Sequence, residues 1–308
     1  IKSLYKADVD PKRIIIMPGG KPTMHYAICF FGEPDAEIIY PDPGFPIYES
    51  MINFTGAKAI SYDMTENKDF SINPDRILAL ITEKTRLLIL NNPHNPTGSF
   101  TEKNVIDKLA NSLKNFPNLV ILSDEVYDRL IFDNKEIPTL LNYPDLYDRL
   151  IVLNGWSKTY AMTGWRLGWS VWPEKLIEHV FKFCVNSHSC VNTPAQYGAI
   201  AALNGPENHL KDMMKEFGIR RKLISNGLRS LKGVECSLPG GSFFVFPNVE
   251  KTGMTGEEFT EKCLKEAGVA IIPGTAFGEN ATHNVRFNFA TSRENISKAI
   301  EKIDKILK

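Results

Sequence analysis

LIVLNGWSKTYAMTGWRLGWSV, residues 150–171, is the stretch on which the fold turns. It opens with Leu150, Ile151, Val152 and Leu153 in succession, where a half-exposed antiparallel strand would alternate apolar with polar side chains. So continuous a run predicts a strand buried on both faces, as in a parallel sheet covered by helices. The run stops at Asn154 and Gly155 and passes at once into Trp156, Ser157, Lys158 and Thr159. An open parallel sheet collects its ligands at this place, the carboxyl end of a strand. An amine held there is desolvated and can condense with an aldehyde. Eight residues beyond Lys158, Arg166 stands among small and aromatic neighbours and suits two-pronged binding of a phosphate or carboxylate.

Outward from this stretch the same texture repeats. Apolar runs at 13–17, 37–40, 86–91, 119–123 and 165–171 read as further strands. Helical periods lie between them near 22–31, 46–55, 74–81 and 102–113, three with a proline near the start, where its missing N–H costs nothing. This alternation is α/β layering and predicts a mostly parallel sheet flanked by helices. After Pro173 come long helices at 174–186, 194–203 and 207–231, the last long enough to bridge two domains. Strand candidates at 234–237, 242–246, 270–272 and 285–290, with helices near 256–267 and 293–307, predict a smaller C-terminal α+β domain. The expected division is 1–205 for the large domain and 206–308 for the small one, bridging helix included.

Composition narrows the function. Lys+Arg and Asp+Glu both number 36 among 308 residues, so no general electrostatic attraction to nucleic acid or to an anionic membrane is expected. No apolar run approaches the roughly 20 residues of a membrane helix. Cys29, Cys184, Cys190, Cys236 and Cys263 are scattered without a C-x-x-C pair, which argues against a complete disulfide framework or a zinc site and for a reducing, cytoplasmic setting.

Other strand ends carry chemistry too. Pro18-Gly19-Gly20-Lys21-Pro22-Thr23 follows a strand and opens a helix, so backbone N–H groups at Gly19, Gly20 and Lys21 and the positive end of the helix can cradle a phosphate; a plain glycine turn is the bland alternative. In the segment 91–98, NNPHNPTG, two prolines stiffen the chain around Asn95, whose amide is then aimed rigidly. Asp124, directly after an apolar run, demands a cationic partner or a donor, and a protonated ring nitrogen is one such partner; a helix cap is the other reading. Arg286 alternates with apolar neighbours in VRFNFA. Asn, Asp, Tyr, Lys and two Arg form a set that suits an aldehyde cofactor bearing a phosphate and a pyridine nitrogen, with one arginine left for a substrate carboxylate.

The ordered motifs GGKPT, YPDPGFPIY, NNPHNPTG, SDEVYDRL, NGWSKTYAMTGWRLGW and VRFNFATS resemble those of the class I/II aminotransferases of the aspartate aminotransferase family, fold type I. The resemblance covers nearly the whole chain. It implies a seven-stranded-type sheet, pyridoxal 5'-phosphate as cofactor, and transfer of an amino group between an L-amino acid and a 2-oxo acid. It further implies that Lys158 holds the cofactor as an internal aldimine and moves the proton, and that Asp124 keeps the pyridine nitrogen protonated. Asn95 and Tyr127 would donate to the ring O3′, and Phe45 would stack on the ring. Arg166 with the Gly19, Gly20 and Lys21 backbone would hold the phosphate, and Arg286 would pair with the substrate α-carboxylate.

Where many relatives carry a phosphate-binding hydroxyl this chain has Gly155, so Ser157 or backbone groups are expected to compensate. The opening IKSLYKADVD reads as the tail of a helix running into a turn, so an upstream segment is expected; the resemblance implies that it is an N-terminal arm and that the protein is a homodimer whose subunits share the site. Two alternatives stand beside amino transfer: a β-eliminating C–S lyase of the same fold type, and a non-catalytic aminotransferase-like ligand-sensing domain.

Overall fold

A computed structural model describes all 308 residues. Its principal sheet contains β1 (Ile14–Met17), β2 (Glu37–Asp42), β3 (Lys58–Asp63), β4 (Thr85–Asn91), β5 (Val120–Asp124), β6 (Leu150–Gly155) and β7 (Gly168–Val171). Their spatial order is β1-β7-β6-β5-β4-β2-β3. Pairs among β2 to β6 are parallel, and β7 alone runs against its neighbours β1 and β6. The expected mostly parallel sheet is present.

Every residue of β6 is buried. The reason is visible on β4, where Leu88 and Leu90 join one hydrophobic core with Ile121 and Val152, and Leu87 and Ile89 join a second with Leu122 and Ile151. Helices α1 (Lys2–Tyr5), α4 (Pro74–Ala79) and α5 (Lys103–Leu113) close the first core, whereas α2 (Lys21–Phe31), α3 (Ile47–Thr55) and α7 (Ile177–His188) close the second. On α5 the buried residues Ile106, Leu109, Ala110 and Leu113 fall on one helical stripe, which is why that segment is a helix lying on a sheet. The short α6 (Trp156–Thr159) follows β6 directly.

Beyond α8 (Thr193–Asn204) and the long α9 (Asn208–Ser230), β8 (Phe244–Val245), β9 (Ile272–Pro273) and β10 (Val285–Asn288) form a small antiparallel sheet in the order β8-β10-β9. With α10 (Gly256–Lys262) and α11 (Arg293–Ile306) it encloses a third core, where Phe217 and Ile224 of α9 meet Phe287, Phe259 and Ile303. Tyr127, Leu130 and Phe132, which follow β5, reach into this core and tie the small sheet to the large one.

Some elements differ from expectation. The edge strand β3 pairs only with β2, and its ends Lys58 and Asp63 are exposed, so it lacks the continuous apolar run that marks a central strand. Residues 234–237 are not a strand: Glu235 alone bridges to Asn248, and the Cys236 carbonyl accepts from Arg229 Nε instead of from a neighbouring strand. The strand expected from 165 begins only at Gly168, because Thr163–Trp165 is a 3-10 turn and Arg166 adopts a left-handed φ of 53°.

Candidate functional site

The carboxyl ends of β4, β5 and β6 and the turn after β1 open on a single cleft of about 500 Å³, closed opposite by Phe244 and Arg286 of the small sheet. That size suits a cofactor with a small substrate.

At one end, Gly19 turns the chain from β1 into α2 with φ +93°, a conformation open to glycine. A side chain at Gly19 would also collide with the Arg166 guanidinium, which lies against it. Gly20, at the N-cap, offers no side chain to α2; Pro22 has no N–H and the Thr23 N–H donates to the Gly20 carbonyl at 3.2 Å, so the N–H groups left without a backbone partner at this turn are those of Gly20 and Lys21. Arg166 is anchored by a 2.8 Å bond from Nη1 to the Thr163 carbonyl.

At the other end, Asp124 terminates β5 and is only 2% exposed. Tyr48 of α3 donates to its Oδ2 at 2.6 Å, and the Val126 N–H donates to its Oδ1 at 3.2 Å. Burial nevertheless pushes the carboxyl up to about 6, the two donors only partly offsetting it. Asn91, the last residue of β4, donates to the Asp124 carbonyl at 3.0 Å and accepts from the Asn95 N–H at 2.9 Å. One amide therefore sets both the Asp124 strand end and the loop that carries Asn95. Arg286 Nη1 donates to Asn95 Oδ1 at 2.9 Å, and the guanidinium is packed between the rings of Phe244 and Phe277, 4.4 and 4.5 Å from their centroids.

Lys158 lies between these ends on α6, half-buried and free of any ion pair. Burial first, and then the charges of Arg166 and Arg286, draw its amine below the ordinary lysine range, while Asp124 opposes them. Tyr127 is buried beside it, its phenol held protonated by burial and by Asp124.

The structure thus brings Gly20, Lys21, Phe45, Asn95, Asp124, Tyr127, Ser157, Lys158, Arg166 and Arg286 to one cleft. Gly19 sits behind Arg166 rather than on the wall. Tyr48, Asn91, Phe244 and Phe277 join the site without a place among the residues that the sequence points to. Asn91 was within reach, because it ends an apolar run inside the NNPHNPTG motif.

The family model described as "Aminotransferase class I and II" matches residues 1–303. A "Probable aspartate aminotransferase" of Methanocaldococcus jannaschii is 39% identical over 312 aligned positions, covering 99% of this chain and 80% of the relative. The chain belongs to the class I and II aminotransferases. Among solved structures, an aromatic aminotransferase from Pyrococcus horikoshii superposes with a TM-score of 0.95 at 34% identity, covering 99% of this chain and 82% of that one. The aspartate aminotransferase from Rhizobium meliloti gives 0.94 at 28% identity, covering 99% and 79%.

This aminotransferase is a pyridoxal-phosphate enzyme that moves an amino group between an amino acid and a 2-oxo acid. The lyase and ligand-sensing alternatives are not favoured by relatives named as aspartate and aromatic aminotransferases. At the departure noted above, a side chain on Gly155 would meet the Leu167 carbonyl oxygen at 2.8 Å and Gly168 Cα at 3.0 Å. Close passage of β6 over the start of β7 thus excludes a hydroxyl there, and Ser157 and Thr163 are the side-chain hydroxyls following β6 that line the cleft. No helix is long and apolar enough to cross a membrane.

Proposed function

We propose that the cleft binds pyridoxal phosphate through Lys158 and transfers the amino group of a dicarboxylic L-amino acid, aspartate, to a 2-oxo acid. The observation that carries this reading is the charge distribution of the wall: Lys21, Lys158, Arg166 and Arg286 against the single carboxylate of Asp124. A ligand with several anionic groups and one cationic ring nitrogen is its complement.

The donor set fits the cofactor. Arg166, Ser157 and the N–H groups of Gly20 and Lys21 hold the phosphate, with Gly19 giving the guanidinium room. Asp124, kept in place by Tyr48 and Val126, holds a proton on the ring nitrogen. Asn95 and Tyr127 would donate to O3′, and Phe45 would cover the ring. When bound, the cofactor withdraws the electron pair left at the substrate Cα as its proton departs. Lys158 Nζ would hold the cofactor through its aldehyde carbon and, when free of it, would be the group that carries the proton between Cα and C4′. Its lowered basicity favours the neutral amine that this work needs. Arg286 orients the donor by its α-carboxylate, gripped by two rings and by Asn95. Lys21 then remains as a cation without an anion, and the side-chain carboxylate of aspartate supplies one.

Division at 205/206 into a large and a small domain is supported by the core of the small sheet, whose buried members lie beyond residue 206 except for Tyr127, Leu130 and Phe132. A homodimer is supported by the number of large apolar side chains exposed on and beside α7 and α8: Trp165, Phe181, Tyr197, Ile200 and Leu203. The five free thiols support a cytoplasmic setting.

Borohydride reduction of the cofactor-loaded protein followed by peptide mapping tests the site: a pyridoxyl group on Lys158 is expected, and a label on another lysine overturns the assignment. A donor panel with 2-oxoglutarate tests the substrate, and light scattering tests the dimer.

A further inference from the structure

The Lys158 amine has no hydrogen-bonded or ion-paired partner, yet it is not unattended. Its Nζ lies 5.3 Å from the centroid of the Phe243 ring and 5.7 Å from that of Tyr127. Both fall within the roughly 6 Å at which an ammonium is attracted to the electron-rich face of a ring. The two rings meet edge to face at 5.5 Å, so they form one corner rather than two separate contacts. Phe243 is fixed in turn by Phe217 at 6.0 Å and Phe244 at 4.7 Å, and its carbonyl accepts from the Phe289 N–H at 3.0 Å. The preceding Ser242, fully buried, has a left-handed φ of 56°, a conformation that a residue other than glycine adopts only where its surroundings impose it.

We propose that Phe243 and Tyr127 form an aromatic seat for the Lys158 ammonium whenever Nζ is not bonded to the cofactor, which makes Phe243 a positioning residue for this lysine. The inference rests on the reading of Lys158 as the cofactor-binding lysine. Amino transfer requires that lysine to be set free and then to act on a proton a short distance away. A freed four-carbon amine in a wide cleft loses its aim unless something holds it. An acid at that place would hold it too well, by fixing it as a permanently charged ion pair. Two ring faces hold it weakly and take no proton from it. The groups that face Nζ are Arg166 and Arg286, which disfavour its charge, Asp124, which favours it, and the protonated phenol of Tyr127. Phe243 acts on the side of Asp124.

The sign of its effect separates this role from a packing role. Loss of the ring face removes a stabiliser of the ammonium and lowers the pH at which the amine becomes reactive. A packing defect instead admits water and raises that pH toward the ordinary lysine value. The test is made on the full chain freed of cofactor, by brief pulses of acetic anhydride across a pH series with Lys158 acetylation read by mass spectrometry. Phe243→Leu is expected to lower the half-reaction pH by about one unit, and Phe243→Tyr to return it to that of the parent. Phenylalanine carrying one, two or three ring fluorines at position 243 keeps the shape and weakens the face. It should lower the value stepwise, and it decides the question if the leucine variant does not fold. A half-reaction pH that stays put or rises along the fluorine series overturns the seat. A borohydride label on another lysine would remove the catalytic reading and leave this titration intact, so the two failures are distinguishable.

Discussion

Arg286 Nη1 donates a 2.9 Å hydrogen bond to Asn95 Oδ1, joining two side chains 191 residues apart in sequence across the cleft. Arg286 stands on β10 of the small sheet, and Asn95 in the loop after β4 of the large one. With its oxygen accepting from Arg286, the Asn95 amide keeps its NH2 free to donate to a ligand. The group assigned to the substrate carboxylate therefore also orients a group assigned to the cofactor.

Arg286→Ala should affect both. A charge-assisted bond to the α-carboxylate is worth about 1.5–3 kcal/mol, so KM for every amino donor should rise roughly 10- to 100-fold. The bound cofactor's visible absorption should shift as well, because Asn95 is freed. Steady-state kinetics on two unlike donors and a spectrum of the loaded enzyme check this. An unchanged KM with a displaced spectrum would leave Arg286 as an orienting residue alone.

Asp124→Asn should keep the cofactor and lose most turnover. An amide accepts the Tyr48 bond as the carboxylate does but cannot hold a proton on the ring nitrogen. By analogy with removal of a preorganised electrostatic group, worth about 2.7–4 kcal/mol, kcat should fall roughly 100- to 1000-fold. Near-parental turnover in a variant that still binds cofactor would make Asp124 a structural residue.

The sequence exposed most of this site because its residues sit where apolar strands stop: Asn95, Asp124 and Lys158 follow the runs at 86–91, 119–123 and 150–154. What it hid were the supports. Tyr48 is fully buried on α3, where an aromatic residue looks like core, and nothing in the sequence distinguishes the hydroxyl that reaches Asp124. Phe244 and Phe277 clasp Arg286 from segments 33 residues apart, a contact that only tertiary structure brings about. In the fold, β3 is hard to see in the sequence because an edge strand with exposed ends is half polar, and 234–237 reads as a strand because three of its four residues are apolar or small.

Glu125 offers a test of pH dependence away from the reaction. It is fully buried, accepts from Ser123 Oγ at 2.8 Å and from the Leu140 N–H at 3.1 Å, and leaves Oε2 without a partner. Burial pushes its carboxyl from 4.5 up to about 7. Between those values the native protein binds more protons at this group than the unfolded chain does, so this contribution to stability falls as pH rises. Glu125→Gln removes the titration. The stability gap between variant and parent should therefore move in the variant's favour from pH 4.5 to pH 7, by on the order of 3 kcal/mol. Denaturant unfolding at several pH values measures it. A gap that does not change with pH would show that Glu125 ionises normally.

In the proposed reading Lys21 decides the nature of the donor. It opens α2 on the cleft wall, its Nζ stands 5.5 Å from the Phe45 ring centroid, and no acidic side chain pairs with it. If it receives the side-chain carboxylate of aspartate, Lys21→Gln should raise KM for aspartate roughly 10- to 100-fold, the equivalent of about 1.5–3 kcal/mol, and leave an aromatic donor unaffected. The neutral amide keeps most of the length that covers Phe45, and the backbone N–H of residue 21 still faces the phosphate, so cofactor retention should not change. Equal losses for aspartate and phenylalanine would move Lys21 to the phosphate. No loss for either would leave the distal carboxylate without a partner in this chain and place its recognition on the neighbouring subunit of the proposed dimer. The comparison of the two donors in one variant, with cofactor content measured alongside, separates these outcomes.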